Sequence, residues 1–173
     1  MILVGHSLGA LVAIEYAKKY PMHLKSLVLC STPLYKSEPR YIFSKFKLPD
    51  GETFYKNVLR NLREKPDFTK KLNYYARRVK FIDPDFVVDD KNIRSVARSI
   101  EMAIENQSAF EWLIETEVPT TLVYGRLDPK KKKKYYKSIA KHNPNCTVHP
   151  IVAGHEVNRS KSYSEVIGNI LLA

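Results

Sequence analysis

The sequence has little cysteine and no long apolar run. Its 173 residues include two cysteines, Cys30 and Cys146, each inside an apolar or β-like stretch, so we expect two buried thiols and no disulfide framework. No apolar run approaches the length of about 20 residues that a membrane-spanning helix needs. The N-terminus also lacks a basic segment followed by a cleavage site. We therefore expect a cytoplasmic protein without stable membrane insertion.

The charge is unevenly distributed along the chain. The net charge is +11, with 13 basic against 5 acidic residues at 35–80, 3 against 9 at 81–117, and 10 against 3 at 118–173. Such a basic excess favours attraction of anionic substrates or membrane headgroups. The lysine run at 130–134 has no interleaved aromatic residues and no recognisable binding module around it, so it is typical of a solvated helical turn. We expect no nucleic-acid partner.

The first ten residues contain the most informative pattern. An apolar run breaks into Gly-His-Ser-Leu-Gly at Gly5–Gly9, and a helical pattern follows at 10–20 until Pro21 ends it. This arrangement predicts a strand-to-helix turn so tight that Ser7 adopts a strained backbone with its hydroxyl exposed. We expect that a Cβ atom at Gly5 or Gly9 would strike the neighbouring strand or helix. The alternative is a glycine-rich turn with an incidental serine.

Further strands and helices follow in an alternating order. Strands are predicted at residues 24–31, 118–125 and 146–152, and helices at residues 129–142 and 160–172. No carboxylate follows the strand at 24–31, where Thr32 and Pro33 stand. At 173 residues with 44% hydrophobic content, the chain is long enough for one core and is expected to form a single domain.

Residues 35–115 differ from the rest in being rich in aromatic and charged residues with helical periodicity. Helices are predicted at 53–63, 69–79 and 91–106, with a short helical turn at 110–114. We interpret this segment as a helical insertion. Most of its aromatic side chains are expected to form the insertion's own core, and a minority to line a pocket.

Two further residues stand directly after predicted strands. Asp128 follows the strand at 118–125, at the sheet edge where open α/β folds bind ligands. It also has the position of a cap for the helix that begins at Pro129, and both roles are compatible. His155 follows the last strand within Gly154-His155. The other histidines are assigned to surface or packing positions; they are His6, His23, His142 and His149.

Together these features resemble the α/β-hydrolase family. The resemblance rests on the Gly-His-Ser-Leu-Gly turn, on Gly154-His155, and on the order of serine, acid and histidine after successive strands. It implies an α/β fold with a parallel sheet of about four strands flanked by helices. Residues 1–34 and 116–173 would form the core, and 35–115 a helical cap over the active site. Complete members carry four more strands and an oxyanion loop before the serine turn, so the chain resembles the C-terminal part of such a hydrolase.

The resemblance also implies a chemistry. Ser7 would be the nucleophile, His155 the general base and Asp128 the acid that orients it, with the backbone N–H of Leu8 as an oxyanion donor. Acyl transfer to water needs no cofactor or metal. No pair of histidines or cysteines has the spacing of metal ligands. We expect a small-molecule carboxylic ester as substrate. C–C bond or thioester hydrolysis on the same triad is an alternative, as is a catalytically weak remnant acting as a binding or assembly module. We also expect self-association through the first strand, because one edge of that strand would have no partner strand within the chain.

Overall fold

The computed structural model describes residues 1–34, 60–61, 64–79, 85–96, 98–99, 108–128 and 133–172. The chain divides into two compact units, which we call the first unit (Met1–Lys36 with Gln107–Ala173) and the second unit (Ser37–Asn106).

Of the strands and α-helices whose bounds the structure describes in full, four strands and four helices belong to the first unit, and one helix belongs to the second. The strands are β1 (Ile2–His6), β2 (Ser26–Cys30), β3 (Thr120–Gly125) and β4 (Cys146–Ile151). The helices are α1 (Leu8–Lys19), α2 (Pro66–Arg78), α3 (Ala109–Glu115), α4 (Lys133–His142) and α5 (Lys161–Leu172), of which α2 lies in the second unit.

The strands form one parallel sheet in the order β1-β2-β3-β4, which confirms the predicted α/β fold. In its register Gly5 pairs with Leu29, and Leu29 pairs with Leu122. Strand β2 is buried along most of its length, as expected for a parallel strand covered on both faces. The carboxyl ends of all four strands therefore lie at one edge of the sheet, where the predicted site residues follow them.

One face of the sheet is covered by α5. Val28, Cys30 and Val123 form a buried cluster with Ile151 and Val157, and the apolar side of α5 packs against it. The residues of that side are Tyr163, Val166, Ile167 and Ile170. Removal of this apolar surface from water stabilises the sheet at the end that carries the site.

Both cysteines are free and buried, as predicted. Cys30 is 0% exposed and Cys146 is 4% exposed. Burial, by desolvating the thiolate, raises the pKa of each thiol to about 11.

Helix α3 corrects two expectations. Residues 110–114 were predicted to form a short turn within the insertion, but Ala109–Glu115 is an α-helix and belongs to the first unit. The reason is its contacts, since the carbonyl oxygen of Leu113 accepts hydrogen bonds from Nδ2 of Asn143 at 3.0 Å and from Sγ of Cys146 at 3.4 Å. These bonds attach α3 to the start of β4.

In the second unit, α2 begins at Pro66, three residues before the predicted start, because proline suits the first turn of a helix. The buried amide of Asn73 holds a neighbouring segment, donating to the carbonyl of Phe86 and accepting from the N–H of Val88. The helix predicted at 53–63 lies almost entirely outside the described residues. Within the helix predicted at 91–106, residues 93–96 and 98–99 are helical, and most of the other residues lie outside the described part of the chain.

Among the described residues, no helix is both long and apolar enough to cross a bilayer.

Candidate active site

The turn between β1 and α1 has the strained geometry that the sequence predicts. Ser7 has φ 52° and ψ −119°, a conformation that non-glycine residues rarely adopt. A Cβ atom on Gly5 would lie 2.6 Å from the carbonyl oxygen of Gly9 and 2.7 Å from Cα of Ala10, so this position requires glycine. The same expectation for Gly9 is wrong. Its Cβ would have no neighbour within 4 Å in the described part of the chain, because Gly9 is exposed in the first turn of the helix.

The backbone N–H groups of this turn differ in availability. The N–H of Ser7 donates to the carbonyl oxygen of Cys30 at 2.8 Å and so ties the turn to β2. The N–H of Leu8 occupies the first position of α1, where helices leave donors free, and it has no acceptor among the described residues. The helix dipole adds positive potential at that point. Leu8 is therefore the available donor for an anionic oxygen beside Ser7.

Asp128 ends a short turn after β3 and is 3% exposed. Its N–H donates to the carbonyl oxygen of Gly125 at 3.2 Å, and the N–H of Leu127 donates to the carbonyl oxygen of Ala153 at 3.0 Å. These bonds join the turn that carries Asp128 to the loop that carries His155. Residues 129–132 lie outside the described part of the chain, so the predicted capping role of Asp128 stays a prediction.

The structure brings the three predicted side chains into one hydrogen-bonded row. Nδ1 of His155 lies 2.8 Å from Oδ2 of Asp128, and Nε2 of His155 lies 2.9 Å from Oγ of Ser7. A carboxylate only accepts, so Nδ1 carries the proton and Nε2 is free to accept from the serine hydroxyl. Ser7 and His155 are 148 positions apart and meet because both follow strands of the same sheet. This arrangement can deprotonate Ser7 as its oxygen attacks an electrophile.

Residues 1–160 match the family model of the alpha/beta hydrolase fold. The chain belongs to this family. No curated protein matches the sequence.

Solved structures share the α/β-hydrolase fold with this chain at low identity. An enol-lactonase from Burkholderia xenovorans LB400 is 17% identical, with a TM-score of 0.67 over 98% of this chain and 65% of that one. A bromoperoxidase from Bacillus anthracis is 18% identical, with a TM-score of 0.63 over 99% and 67%. A thermophilic esterase from Thermogutta terrifontis is 21% identical, with a TM-score of 0.55 over 99% and 64%. The chain thus spans about two thirds or slightly less of each structure's length.

One residue beside this candidate site was missed by the sequence analysis. Gly125, the last residue of β3, lies against the loop before His155, and a Cβ atom there would be 2.0 Å from the carbonyl oxygen of Gly154 and 2.3 Å from that of Ala153. The backbones of the two site loops therefore touch. A glycine at a strand end is a weak signal of such an approach, and it was available in the sequence.

The backbone of His155 has contacts that the sequence analysis also missed. Its carbonyl oxygen accepts from Oγ of Ser31 at 2.7 Å and from Nε2 of His6 at 3.0 Å. His6 was assigned to a surface or packing position, but its half-buried ring thus makes a polar contact beside the candidate site. The other three histidines have contacts elsewhere: Nδ1 of His23 lies 3.2 Å from Oη of Tyr16, Nδ1 of His142 lies 2.7 Å from the carbonyl oxygen of Ser138, and His149 pairs with Val123 in the sheet.

A metal ion fits this group poorly. His6, His155 and Glu156 have potential ligand atoms within 4.8 Å of one another, and Nε2 of His6 is 3.9 Å from Oε2 of Glu156. However, both ring nitrogens of His155 already have partners in Ser7 and Asp128, so coordination would break one of those bonds. The donor set is better suited to proton transfer than to holding a cation.

Proposed function

We propose that the protein is a serine hydrolase that cleaves carboxylic esters, with Ser7 as nucleophile, His155 as general base and Asp128 as its partner. The observation that carries this proposal is the pair of bonds on the two ring nitrogens of His155, one to a buried carboxylate and one to a strained, half-buried serine. Triads are recognised by such geometry and roles.

The reaction follows from the positions of these groups. Oγ of Ser7 attacks the ester carbonyl carbon while Nε2 of His155 takes the hydroxyl proton. Asp128 remains ionised, keeps the proton on Nδ1 and stabilises the imidazolium that forms. The N–H of Leu8 donates to the oxyanion of the tetrahedral intermediate. His155 then returns its proton to the leaving alcohol, and a water molecule activated by the same nitrogen hydrolyses the acyl-enzyme and frees Ser7.

The choice of an ester rests on the chemistry and on the relatives. Alkoxides leave readily once protonated, and a single histidine can act first as base and then as acid. Two of the structural neighbours are named as an enol-lactonase and an esterase, and a lactone is a cyclic ester. Thioester or C–C bond hydrolysis would use the same three residues and differ in the leaving group.

We also propose that the second unit is the helical cap that the sequence predicts. It carries exposed aromatic and aliphatic side chains of the kind that line ligand sites. Of those, Phe68, Leu72 and Tyr75 occur at helical spacing along α2 and are exposed. In this role the unit would set substrate preference and leave the chemical step to the first unit.

A second candidate is a weakly catalytic protein that works as a binding or assembly module. It is favoured by the reliance of the proposed mechanism on one oxyanion donor, the N–H of Leu8 at the start of α1, because loss of one such donor costs about 10²–10³ in kcat in a serine protease. Under this alternative the triad geometry would be retained with low turnover.

A fluorophosphonate probe and a p-nitrophenyl ester assay test the proposal together. The wild-type chain is expected to be labelled once and to hydrolyse the ester, whereas Ser7→Ala is expected to lose both properties. Ser164→Ala, at an exposed position of α5, is the matched control and keeps both. Labelling that persists in Ser7→Ala contradicts the assignment of the nucleophile, and labelling of Ser7 with negligible turnover favours the second candidate.

A further inference from the structure

Two serines share an unusual backbone conformation in this molecule. Among the described residues, Ser7 (φ 52°) and Ser31 (φ 48°) are the non-glycine residues with positive φ. Each comes directly after a strand, Ser7 after β1 and Ser31 after β2. Each also bonds to His155, Ser7 to its ring and Ser31 to its backbone carbonyl. Strained residues of this kind persist where the surrounding structure holds them, and they concentrate at functional sites.

The surroundings of Ser31 fix its hydroxyl in one position. The residue is 2% exposed, and its N–H donates to the carbonyl oxygen of Val123 at 2.8 Å, which anchors it to β3. Its Oγ then donates to the carbonyl oxygen of His155 at 2.7 Å. The positive φ turns the chain at the end of β2, and in this conformation the Ser31 hydroxyl contacts the loop after β4.

His6 supplies the second donor to the same oxygen. Its Nε2 lies 3.0 Å from the carbonyl oxygen of His155, and since a carbonyl only accepts, Nε2 carries the proton in this contact. His6 is the residue immediately before the nucleophile. The carbonyl group of His155 is thus held by His6, the last residue of β1, and by Ser31, the residue that follows β2.

We propose that Ser31, together with His6, is a positioning residue that sets the ring of His155 between Ser7 and Asp128. This inference rests on the proposed function and deepens it. The side chain of His155 has two rotatable bonds, so the placement of its ring depends on the placement of its own backbone. Productive geometry has to be held within about 0.5 Å, and supporting hydrogen bonds do this for the reacting groups.

Loss of the Ser31 hydroxyl is expected to act on the chemical step. Misplacement of a reacting group by 1 Å can cost about 10²-fold in rate, so we expect kcat to fall by about 10- to 100-fold in Ser31→Ala while KM changes little. Ser31→Gly removes the same hydroxyl and also relieves the positive φ. Equal losses in the two variants would assign the effect to the hydroxyl and not to backbone strain.

Thr32→Val is the matched control. Thr32 is the next residue, is 3% exposed, and its Oγ1 has no hydrogen-bond partner among the residues that the structure describes. Valine replaces that hydroxyl with a methyl group of similar size. This variant removes a buried hydroxyl next to Ser31 without removing a bond to His155, so kcat is expected to stay at the wild-type value.

Substitutions of His6, the second donor, test the proposal independently, because they leave Ser31 unchanged. His6→Phe removes the bond to His155, whereas His6→Gln keeps an N–H donor on a shorter side chain. We expect kcat to fall in the first variant and to recover at least in part in the second. If both donors act on the same peptide group, the double variant of Ser31→Ala with His6→Phe loses less than the product of the two single losses.

The proton on Nδ1 of His155 provides a readout separate from turnover. Its low-field NMR resonance is to be recorded in the full chain labelled with ¹⁵N-histidine, and assigned with Asp128→Asn. We expect the resonance to shift or broaden in Ser31→Ala and to be unchanged in Thr32→Val. An unchanged resonance with unchanged kcat in folded Ser31→Ala overturns the proposal, as does an equal loss in Thr32→Val. If the wild type is neither labelled nor active, the proposed function fails, and the resonance alone decides whether Ser31 positions His155.

Discussion

Gly125 and Gly154 touch through backbone atoms alone, at the point where β3 and the loop before His155 meet. The absence of a side chain on Gly125 lets the turn that carries Asp128 approach the loop that carries His155, since a Cβ atom would lie 2.0 Å from the carbonyl oxygen of Gly154. The carboxylate and the imidazole are then 2.8 Å apart. The acid and the histidine are therefore brought together by a contact between main chains as well as by their own hydrogen bond.

The first prediction concerns this contact. Gly125→Ala places a methyl group against the rigid backbone of the neighbouring loop, and we expect it to lower the free energy of unfolding by about 1–3 kcal/mol, as overpacking does. Ester hydrolysis should fall as the two loops separate. Gly168→Ala in α5 is the control, because its Cβ would meet no atom of the described residues within 4 Å and alanine suits a helix. Urea unfolding of both variants measures the effect, and equal stability would argue against the contact.

The second prediction separates the two glycines of the serine turn. Gly5→Ala is expected to destabilise the protein, because its methyl group would overlap Gly9 and Ala10. Gly9→Ala is expected to keep or slightly raise stability, by up to about 1 kcal/mol, since it adds a helix-favouring residue in open space. Thermal unfolding of the pair is the measurement. A destabilised Gly9→Ala would restore the expectation from sequence that both positions require glycine.

The third prediction concerns the tautomer of His155. In Asp128→Asn an amide can still contact the ring but no longer fixes the proton on Nδ1, and the equivalent change in a serine protease lowers kcat by about 10⁴. We expect a loss of similar size here with little change in KM. Glu165→Gln, which removes an exposed carboxylate of α5, is the control and keeps full activity. A modest loss in Asp128→Asn, below tenfold, would mean that another group orients His155.

The residues of the candidate site could be selected from the sequence because their signals are local. A glycine pattern between an apolar strand and a helix identifies Ser7, and the order of strands places Asp128 and His155 at the same edge of the sheet. Apolar runs of strand length between helical patterns predicted the individual strands, and the family resemblance implied that about four of them form one parallel sheet. These features depend on a few neighbouring residues. The geometry of parallel strands then brings the residues that follow the strands to one edge of the sheet.

Other features depended on contacts that a single sequence does not encode locally. The bond from Ser31 to His155 joins positions 124 apart, and the role of Gly125 depends on where another loop passes. The expectation for Gly9 was wrong because a glycine pattern does not tell which of its members faces a neighbour. Helix α3 was placed in the insertion because its attachment to the start of β4 depends on the distant residue Asn143.

The fourth prediction concerns the two thiols. Burial raises the pKa of Cys30 and Cys146 to about 11, so the thiolate is scarce at pH 8 and the folded protein is expected to resist thiol reagents. Both cysteines should react once urea unfolds the chain. The same shift makes stability fall as the pH rises from about 9 to 11, because unfolded thiols release their protons in that range while buried thiols keep them. Rapid labelling of the folded protein at pH 8 would contradict the burial.

The last prediction concerns the outer edge of β1. Among the described residues β1 pairs with β2 alone, and apolar side chains near this edge are exposed, with Met1 at 58%, Val4 at 43% and Val12 at 65%. An open edge beside apolar surface recruits other strands. The opposite edge, β4, contains Pro150, which cannot donate a hydrogen bond and so discourages pairing. We therefore propose that the chain self-associates through β1.

Sedimentation velocity over a range of protein concentrations tests this proposal. The wild type is expected to associate as its concentration rises, whereas Val4→Lys, which places a charge on the exposed part of β1, is expected to remain monomeric at concentrations where the wild type does not. Val152→Lys is the matched control, because Val152 is 67% exposed beyond the end of β4 and its substitution leaves β1 unchanged. This control should associate as the wild type does. A wild-type chain that stays monomeric throughout would show that the β1 edge is protected, and equal dissociation by both lysine variants would attribute the association to general hydrophobic contact.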